Sequence, residues 1–205
     1  PALKADVAGF IGQEAQHSKQ HLAMNRWLKA QGHPMDETTA VFQRVFKRIT
    51  NRCNEDELLA MVSGFEHLTA MVSAFVLRHP AMQGDQNDTT ALIQWHCIEE
   101  IEHKSVCFDV YQACVGDLWV RRRATLSTLF GFSIVSIRTL LLQLWDRKVP
   151  VPDAWAAAKF IVPLWASMVW SSADSLRANF HPDESDESSL LESWRQRYPE
   201  LAAGA

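Results

Sequence analysis

The sequence predicts an all-α protein, a helical bundle with additional C-terminal helices. Apolar residues recur at helical spacing along most of the 205 residues, and no segment alternates as a half-buried strand would. Helix-ending and capping signals separate these segments, among them Gly32-His33-Pro34 and Asn54. With 47% hydrophobic residues the chain can bury a sizeable core, and we expect a single domain over residues 1–205.

Two helices are predicted before residue 51. The first runs from about residue 4 to residue 31 and stops at the Gly-His-Pro signal. Asp36 is placed to cap the second helix, which carries apolar residues at helical spacing: Phe42, Val45, Phe46 and Ile49.

Two further long helices are predicted between residues 54 and 116, where a metal-site bundle over about 1–116 would end. Asn54 opens the third helix with a glutamate three residues later, as in a capping box, and this helix ends at Arg78. A loop is expected over 84–88. Asp88 or Thr89 then caps a fourth helix, which continues to about residue 116.

The second half, about 117–205, is apolar and rich in tryptophan. Segments 124–137 and 154–170 are almost free of charge, but Arg138 and Lys159 keep the apolar runs below the ~20 residues of a membrane span. We interpret both segments as helices buried in a soluble bundle. The alternative is an in-plane membrane contact or a large dimer interface.

The composition argues against some classes of binding partner and indicates the redox state of the cysteines. A net charge of -4 argues against nucleic acid, so no nucleic acid is expected as a partner. The short basic run 121–123 is expected to be a solvated helix end or turn. None of the four cysteines has the spacing of a zinc knuckle or a redox motif, which predicts reduced thiols in a cytosolic protein.

The first predicted helix carries one carboxylate and two imidazoles on one face. At about 100° per residue, Glu14, His17 and His21 lie within roughly 60° of one another, next to apolar residues. They therefore project toward the core. A buried carboxylate is costly there unless a cation or several hydrogen-bond donors compensate it.

The fourth predicted helix repeats this pattern. Glu100 and His103 have the same three-residue spacing, His96 lies on the same face one turn earlier, and Glu99 lies at the edge of that face. On the third helix a single acid, Glu66, interrupts an otherwise apolar stripe.

These residues together predict a centre with two metal ions. A Glu-x-x-His pair on each of two helices, with one bare glutamate from each of two others, is the ligand set of di-iron and di-manganese bundles. Iron or manganese suits such an oxygen-rich set better than zinc does. The candidate ligands are Glu14, His17, Glu66, Glu100 and His103, with His21, His96 and Glu99 as further ligands or as hydrogen-bond partners of the ligands.

Around these residues the chain resembles a bacterial family of predicted metal-dependent hydrolases, thought to be ferritin-like. The resemblance covers most of the chain up to Pro182 and rests on 10–17 with His21 and Asn25, on 66–70, on 95–96 with 99–104, on 108–111 and on 180–182. It implies a metal role for the five candidate ligands and a ferritin-like bundle. It also implies a further glutamate in a Gly-Glu-x-x-Phe segment, which this sequence starts too late to include; the N-terminus is therefore expected to be truncated.

Three functions remain open from the sequence. Fold analogy favours a non-haem di-iron oxidoreductase or oxygenase that acts on an apolar substrate. The family's description favours a metal-dependent hydrolase that uses a metal-activated water. A non-catalytic helical protein that binds a membrane or a partner is the third.

The expected cofactor is a pair of iron ions, with manganese or a mixed Fe/Mn pair as the alternative and zinc as a poorer match. The expected partners are a small, hydrophobic substrate and a second copy of the chain in a homodimer, with peripheral membrane contact as the alternative. The expected location is the cytoplasm, with membrane association as the alternative.

Overall fold

The computed structural model describes residues 2–83, 87–146 and 150–202 and confirms the all-α class, with no strand among these residues. Its α-helices are α1 (Ala2–Ala30), α2 (Met35–Thr50), α3 (Glu55–Arg78), α4 (Asp88–His103), α5 (Val106–Cys114), α6 (Leu118–Asp146), α7 (Val151–Asp174), α8 (Ser188–Arg197) and α9 (Pro199–Ala202). Short 3₁₀ helices occupy Pro80–Met82 and Pro182–Glu184. Of the loop predicted over 84–88, residues 84–86 lie outside the described residues.

Helix α3 is the centre of the bundle, and α4, α5, α6 and α7 pack around it. The predicted capping box is confirmed: the Glu57 backbone N–H donates to Asn54 Oδ1 at 2.9 Å, and the Asn54 backbone N–H donates to Glu57 Oε2 at 3.2 Å. Small residues let the neighbouring helices come close. A Cβ at Gly64 would lie 3.4 Å from Thr128 Oγ1 of α6, so the two backbones are nearly in contact there.

Two of the predicted helix caps are wrong. Pro34 occupies the N-cap position of α2 and makes no capping hydrogen bond through its side chain. Asp36 lies in the first turn, where its negative charge interacts favourably with the helix dipole. Asn87 caps α4, since its Oδ1 accepts from the Thr90 backbone N–H at 2.9 Å. The loop therefore ends at Asn87, one residue before the predicted end, because Asp88 is already helical.

The predicted fourth helix is two helices, α4 and α5, separated by Lys104 and Ser105. At the break, Lys104 Nζ donates to Ser185 O at 2.5 Å and to Glu187 Oε2 at 2.7 Å. Glu187 is buried, so this ion pair holds Lys104 toward the C-terminal segment. The partner lies more than eighty residues away, which is why local periodicity does not reveal it.

The basic run is also placed differently from the prediction. Arg121 is only 4% exposed, and its Nη2 donates to the Arg177 carbonyl at 2.6 Å, just after the end of α7. Arg122 Nε donates to the Leu176 carbonyl at 2.8 Å. These side chains satisfy carbonyl groups that follow a helix C-terminus, whereas Arg123 is exposed as expected. The four cysteines are free thiols, in agreement with the sequence.

The two apolar C-terminal segments are not fully buried. Helix α6 exposes several large apolar side chains, and α7 exposes Trp155, Val162 and Trp170. By length and composition, α3 and α6 are apolar enough to cross a membrane, which is weak evidence since a core helix passes the same test. Packing in the core accounts for α3, whereas the outer face of α6 has no such explanation among the described residues.

Candidate metal centre

The candidate centre lies where α1 and α4 approach each other beside α3. The pair from α1, Glu14 and His17, faces the pair from α4, Glu100 and His103. One ligand-type atom from each of the four lies within 4.8 Å of the others. His17 is the only fully buried residue of the described part of α1. The helix therefore points this imidazole inward, although most of its other side chains are exposed. The structure thus brings together the two pairs that the sequence singled out.

The His17 ring is surrounded by carboxylates on both sides. Its Nδ1 lies 3.2 Å from Glu14 Oε1 and 3.4 Å from Glu100 Oε1, and its Nε2 lies 2.7 Å from Glu99 Oε2. None of these close approaches has hydrogen-bond alignment, and both ring nitrogens are buried without a hydrogen-bond partner in the described part of the chain. Buried polar atoms are rarely left in this state, and a cation among them would satisfy them.

The His103 ring is oriented by a polar chain on its far side. Its Nε2 lies 2.9 Å from Gln13 Oε1, and because that oxygen can only accept, the proton belongs on Nε2. The Gln13 amide in turn donates to Glu102 Oε2 at 3.3 Å, and Arg195 donates to Glu102 Oε1 at 3.0 Å. Nδ1, on the other side of the ring, lies 3.2 Å from Glu14 Oε1 and 4.0 Å from Glu66 Oε2 and has no hydrogen-bond partner among the described residues. A histidine held in this way is typical of metal sites.

Gln13 is a residue that the sequence analysis missed. The signal available was its place four residues before His17, on the inner side of α1, but a lone glutamine carries no recognisable pattern. Only the approach of α4 shows that its side chain reaches His103.

Glu66 is buried within the same group of acids. Burial, together with the negative charges of Glu100 and Glu14, raises its pKa to about 8. Burial also raises the pKa of Glu100, a shift that a hydrogen bond from Thr69 opposes. In the absence of a cation, Glu66 therefore holds a proton near neutral pH. Its Oε2 is buried without a hydrogen-bond partner among the described residues, and a bound cation would satisfy it.

The charge of His17 compensates these acids when no metal is bound. Burial lowers the pKa of His17, but the nearby Glu14 and Glu99 carboxylates outweigh it and raise the pKa to about 9. Contacts with the His103 and His17 rings lower the pKa of Glu14 to about 2. An imidazolium thus stands where the donor set calls for a metal cation, and the residues present fit a metal ion.

His96 and His21 lie at the solvent side of the group. The His96 ring centroid is 4.6 Å from that of His17 and 4.8 Å from that of His21, and its Nε2 lies 3.7 Å from Glu100 Oε1. Burial, together with electrostatic interactions with His17 and His21, lowers the pKa of His96 to about 4, so its ring is neutral near pH 7. Glu99, expected at the edge of the α4 face, is instead buried against His17.

Other acids and histidines of the described chain lie outside this group. His67 faces away from the group and its Nε2 contacts Ser171 Oγ at 3.0 Å. Asp109 pairs with His181 at 3.0 Å, and Asp174 pairs with Arg177 at 2.7 Å. None of these residues joins the converging atoms.

Comparison with known proteins identifies a family for this chain. No curated protein and no solved structure matches the chain. A family model described as "Predicted metal-dependent hydrolase" matches residues 1–186, which include every residue of the candidate centre. The chain therefore belongs to the family of predicted metal-dependent hydrolases.

Proposed function

We propose that this protein is a metal-dependent enzyme whose centre is formed by Glu14, His17, Glu66, Glu100 and His103. The observation that carries the proposal is the convergence of the two Glu-x-x-His pairs within 4.8 Å, with buried ligand-type atoms that have no hydrogen-bond partner among the described residues. These three carboxylates and two imidazoles would hold the two divalent cations that such helical bundles bind.

Hydrolysis is the reaction class that the family description supports. When bound, divalent ions in such a site activate water and polarise the group that is attacked. Neighbouring side chains would orient the metal ligands and leave one side of the site accessible to a substrate. Gln13 fixes the His103 ring, and the half-exposed side chains of Glu14 and His96 mark the side from which a substrate can approach.

The donor set itself favours a second candidate, a non-haem di-iron oxidoreductase or oxygenase. The converging atoms are carboxylate oxygens and imidazole nitrogens on helices, a mixture that suits iron or manganese better than zinc. Two iron ions are the cofactor we expect in this case, with manganese or a mixed pair next. Exposed Ile11, one turn from Glu14, and Phe10 packed 4.9 Å from His103 support an apolar substrate.

The first experiment measures metal content per chain in protein purified without added metal. We expect bound iron or manganese, and we expect Glu66→Gln, which removes a negative charge at nearly constant volume, to lower the metal content to about half or less. Glu55→Gln on the exposed first turn of the same helix is the matched control and should keep the metal. If Glu66→Gln and Glu100→Gln both retain full metal content while folded, the centre is assigned wrongly.

A second experiment separates the two reaction classes. The metal-free protein is loaded anaerobically with Fe(II) or with Zn(II), and ester and phosphoester cleavage and dioxygen uptake are measured for each. Cleavage that survives with redox-inert zinc supports hydrolysis. Dioxygen uptake with iron alone, lost in Glu100→Gln, supports the oxidoreductase.

A further inference from the structure

Helix α6 carries a continuous apolar face that no described part of the chain covers. Trp145 is 86% exposed, Trp119 is 70% exposed and Phe130 is 69% exposed. The exposed apolar members recur three, four or seven residues apart, which places them on one side of the helix: Trp119, Leu126, Phe130, Ile134, Ile137, Leu141 and Trp145. We call these seven residues, with the exposed Arg123 and Arg138 between them, the α6 face.

The α6 face is too large for an ordinary monomer surface. Its exposed side chains amount to on the order of 1,000 Å², whereas an apolar patch on a soluble monomer is usually a few hundred Å² and a standard interface takes about 800 Å² from each partner. The opposite side of α6 is already used, because it packs on α3 at Gly64 and Phe65.

Gly131, halfway along α6 at the edge of the α6 face, leaves room for another helix to approach. A Cβ at Gly131 would meet no atom within 4 Å, so nothing inside the described chain requires a glycine in the middle of this long helix. A glycine there lowers the stability of the helix relative to alanine. Exposed Ser127 lies one turn earlier, and a small residue four positions before another lets two helix backbones come close.

A lipid bilayer matches the α6 face less well. Arg123 and Arg138 are both exposed and lie fifteen residues apart, which is about 22 Å along a helix and short of the ~30 Å hydrocarbon core.

The order of residues suits a second copy of the same helix running antiparallel. Eight of the nine residues of the α6 face pair with one another about position 132, next to Gly131, and Ile137 falls opposite Ser127. Reversal about that point sets Trp119 opposite Trp145, Phe130 opposite Ile134, and each arginine opposite a leucine: Arg123 with Leu141, and Arg138 with Leu126. A parallel pair would instead set each arginine against its own copy, which like charge disfavours. An isologous two-fold contact requires this self-complementarity.

We propose that the protein is a homodimer in which α6 packs antiparallel against α6 of a second copy, crossing near Gly131. This interface does not depend on the metal centre, which lies on α1, α3 and α4.

Light scattering coupled to size exclusion tests the interface at micromolar concentration. We expect a mass of twice the 23.3 kDa chain, and a folded monomer for the double variant Phe130→Glu with Ile134→Glu. Trp27→Glu, an equally drastic apolar-to-acidic change on exposed α1, is the matched control and should stay dimeric. Circular dichroism verifies that the helices persist.

Cross-linking with a short bismaleimide tests the antiparallel register in a Cys114→Ser background, which removes the exposed native thiol. We expect Gly131→Cys to link to itself. Leu126→Cys should link when mixed with Arg138→Cys but not alone.

A wild-type monomer, a dimer unaffected by the double variant, or self-linking of Leu126→Cys without the mixed product would overturn the proposal. A monomer that floats with anionic phospholipid vesicles through this face would likewise overturn it, in favour of a membrane.

Discussion

The buried acid Glu66 and the buried base His17 show how burial and neighbouring charges set protonation at the scale of a residue. Each holds a proton more tightly in the folded chain than it would in the unfolded chain, Glu66 because it is buried and has other acids beside it, and His17 because carboxylates surround it. In the metal-free centre, the protons on Glu66 and His17 therefore offset the negative charge that metal cations would otherwise offset.

This protonation predicts a stability profile for the metal-free protein. The pKa of Glu66 rises from 4.5 to about 8 and that of His17 from 6.5 to about 9. The stability linked to each raised pKa is fully present below the unfolded value and is lost as pH rises through the folded value. We expect the free energy of unfolding in urea to fall between about pH 4.5 and pH 9, and to fall less steeply between about pH 4.5 and pH 8 in Glu66→Gln. An identical slope in wild type and variant would contradict this.

Gln13 acts through His103 and not on the metal directly. We expect Gln13→Ala to weaken metal binding about 10- to 100-fold while the helix content is unchanged, because the His103 ring loses the acceptor that orients it. Gln16→Ala, at an exposed position of the same helix, is the control. Metal titration by calorimetry measures both. Equal affinities in the two variants would show that the Gln13 contact is incidental.

At the scale of an element, α3 must begin at a defined residue for Glu66 to face α1 and α4. The reciprocal bonds between Asn54 and Glu57 set that start. The break between α4 and α5 shows the opposite situation, since its place follows from the ion pair of Lys104 with Glu187.

Removal of the α3 cap should destabilise the whole domain. We expect Asn54→Ala to lower the free energy of unfolding by about 1 kcal/mol, because the Glu57 N–H loses its acceptor. Asn54→Asp retains an acceptor and should restore most of the loss. Urea denaturation monitored by circular dichroism distinguishes the variants, and equal midpoints for alanine and aspartate would contradict the assignment.

At the scale of the molecule, the centre links helices that are far apart in the chain, so metal binding should stabilise the folded state as a whole. A metal that binds only the folded chain adds about 2.7 kcal/mol at a concentration of 100 times its Kd. We expect Fe(II) or Mn(II) to raise Tm anaerobically and to release protons at pH 7, since Glu66 and His17 must deprotonate first.

Calorimetry in two buffers of different ionisation enthalpy measures that proton release. The His103→Ala variant serves as the control, since it lacks one side of the donor set. A rise in Tm of equal size in that variant, or binding without any release of protons, would contradict the assignment of the centre.

Local periodicity determined much of this protein from sequence. The all-α class, the start of α3 and the inward direction of the two Glu-x-x-His pairs follow from spacing within single helices, and local spacing is visible in a sequence. Only the tertiary structure decided that Glu99 contacts His17 and that Gln13 orients His103. It also decided that Arg121 is buried against the segment that follows α7, and that the α6 face stays exposed. Each of these depends on which helices become neighbours, and that choice is made by packing between residues distant in the chain.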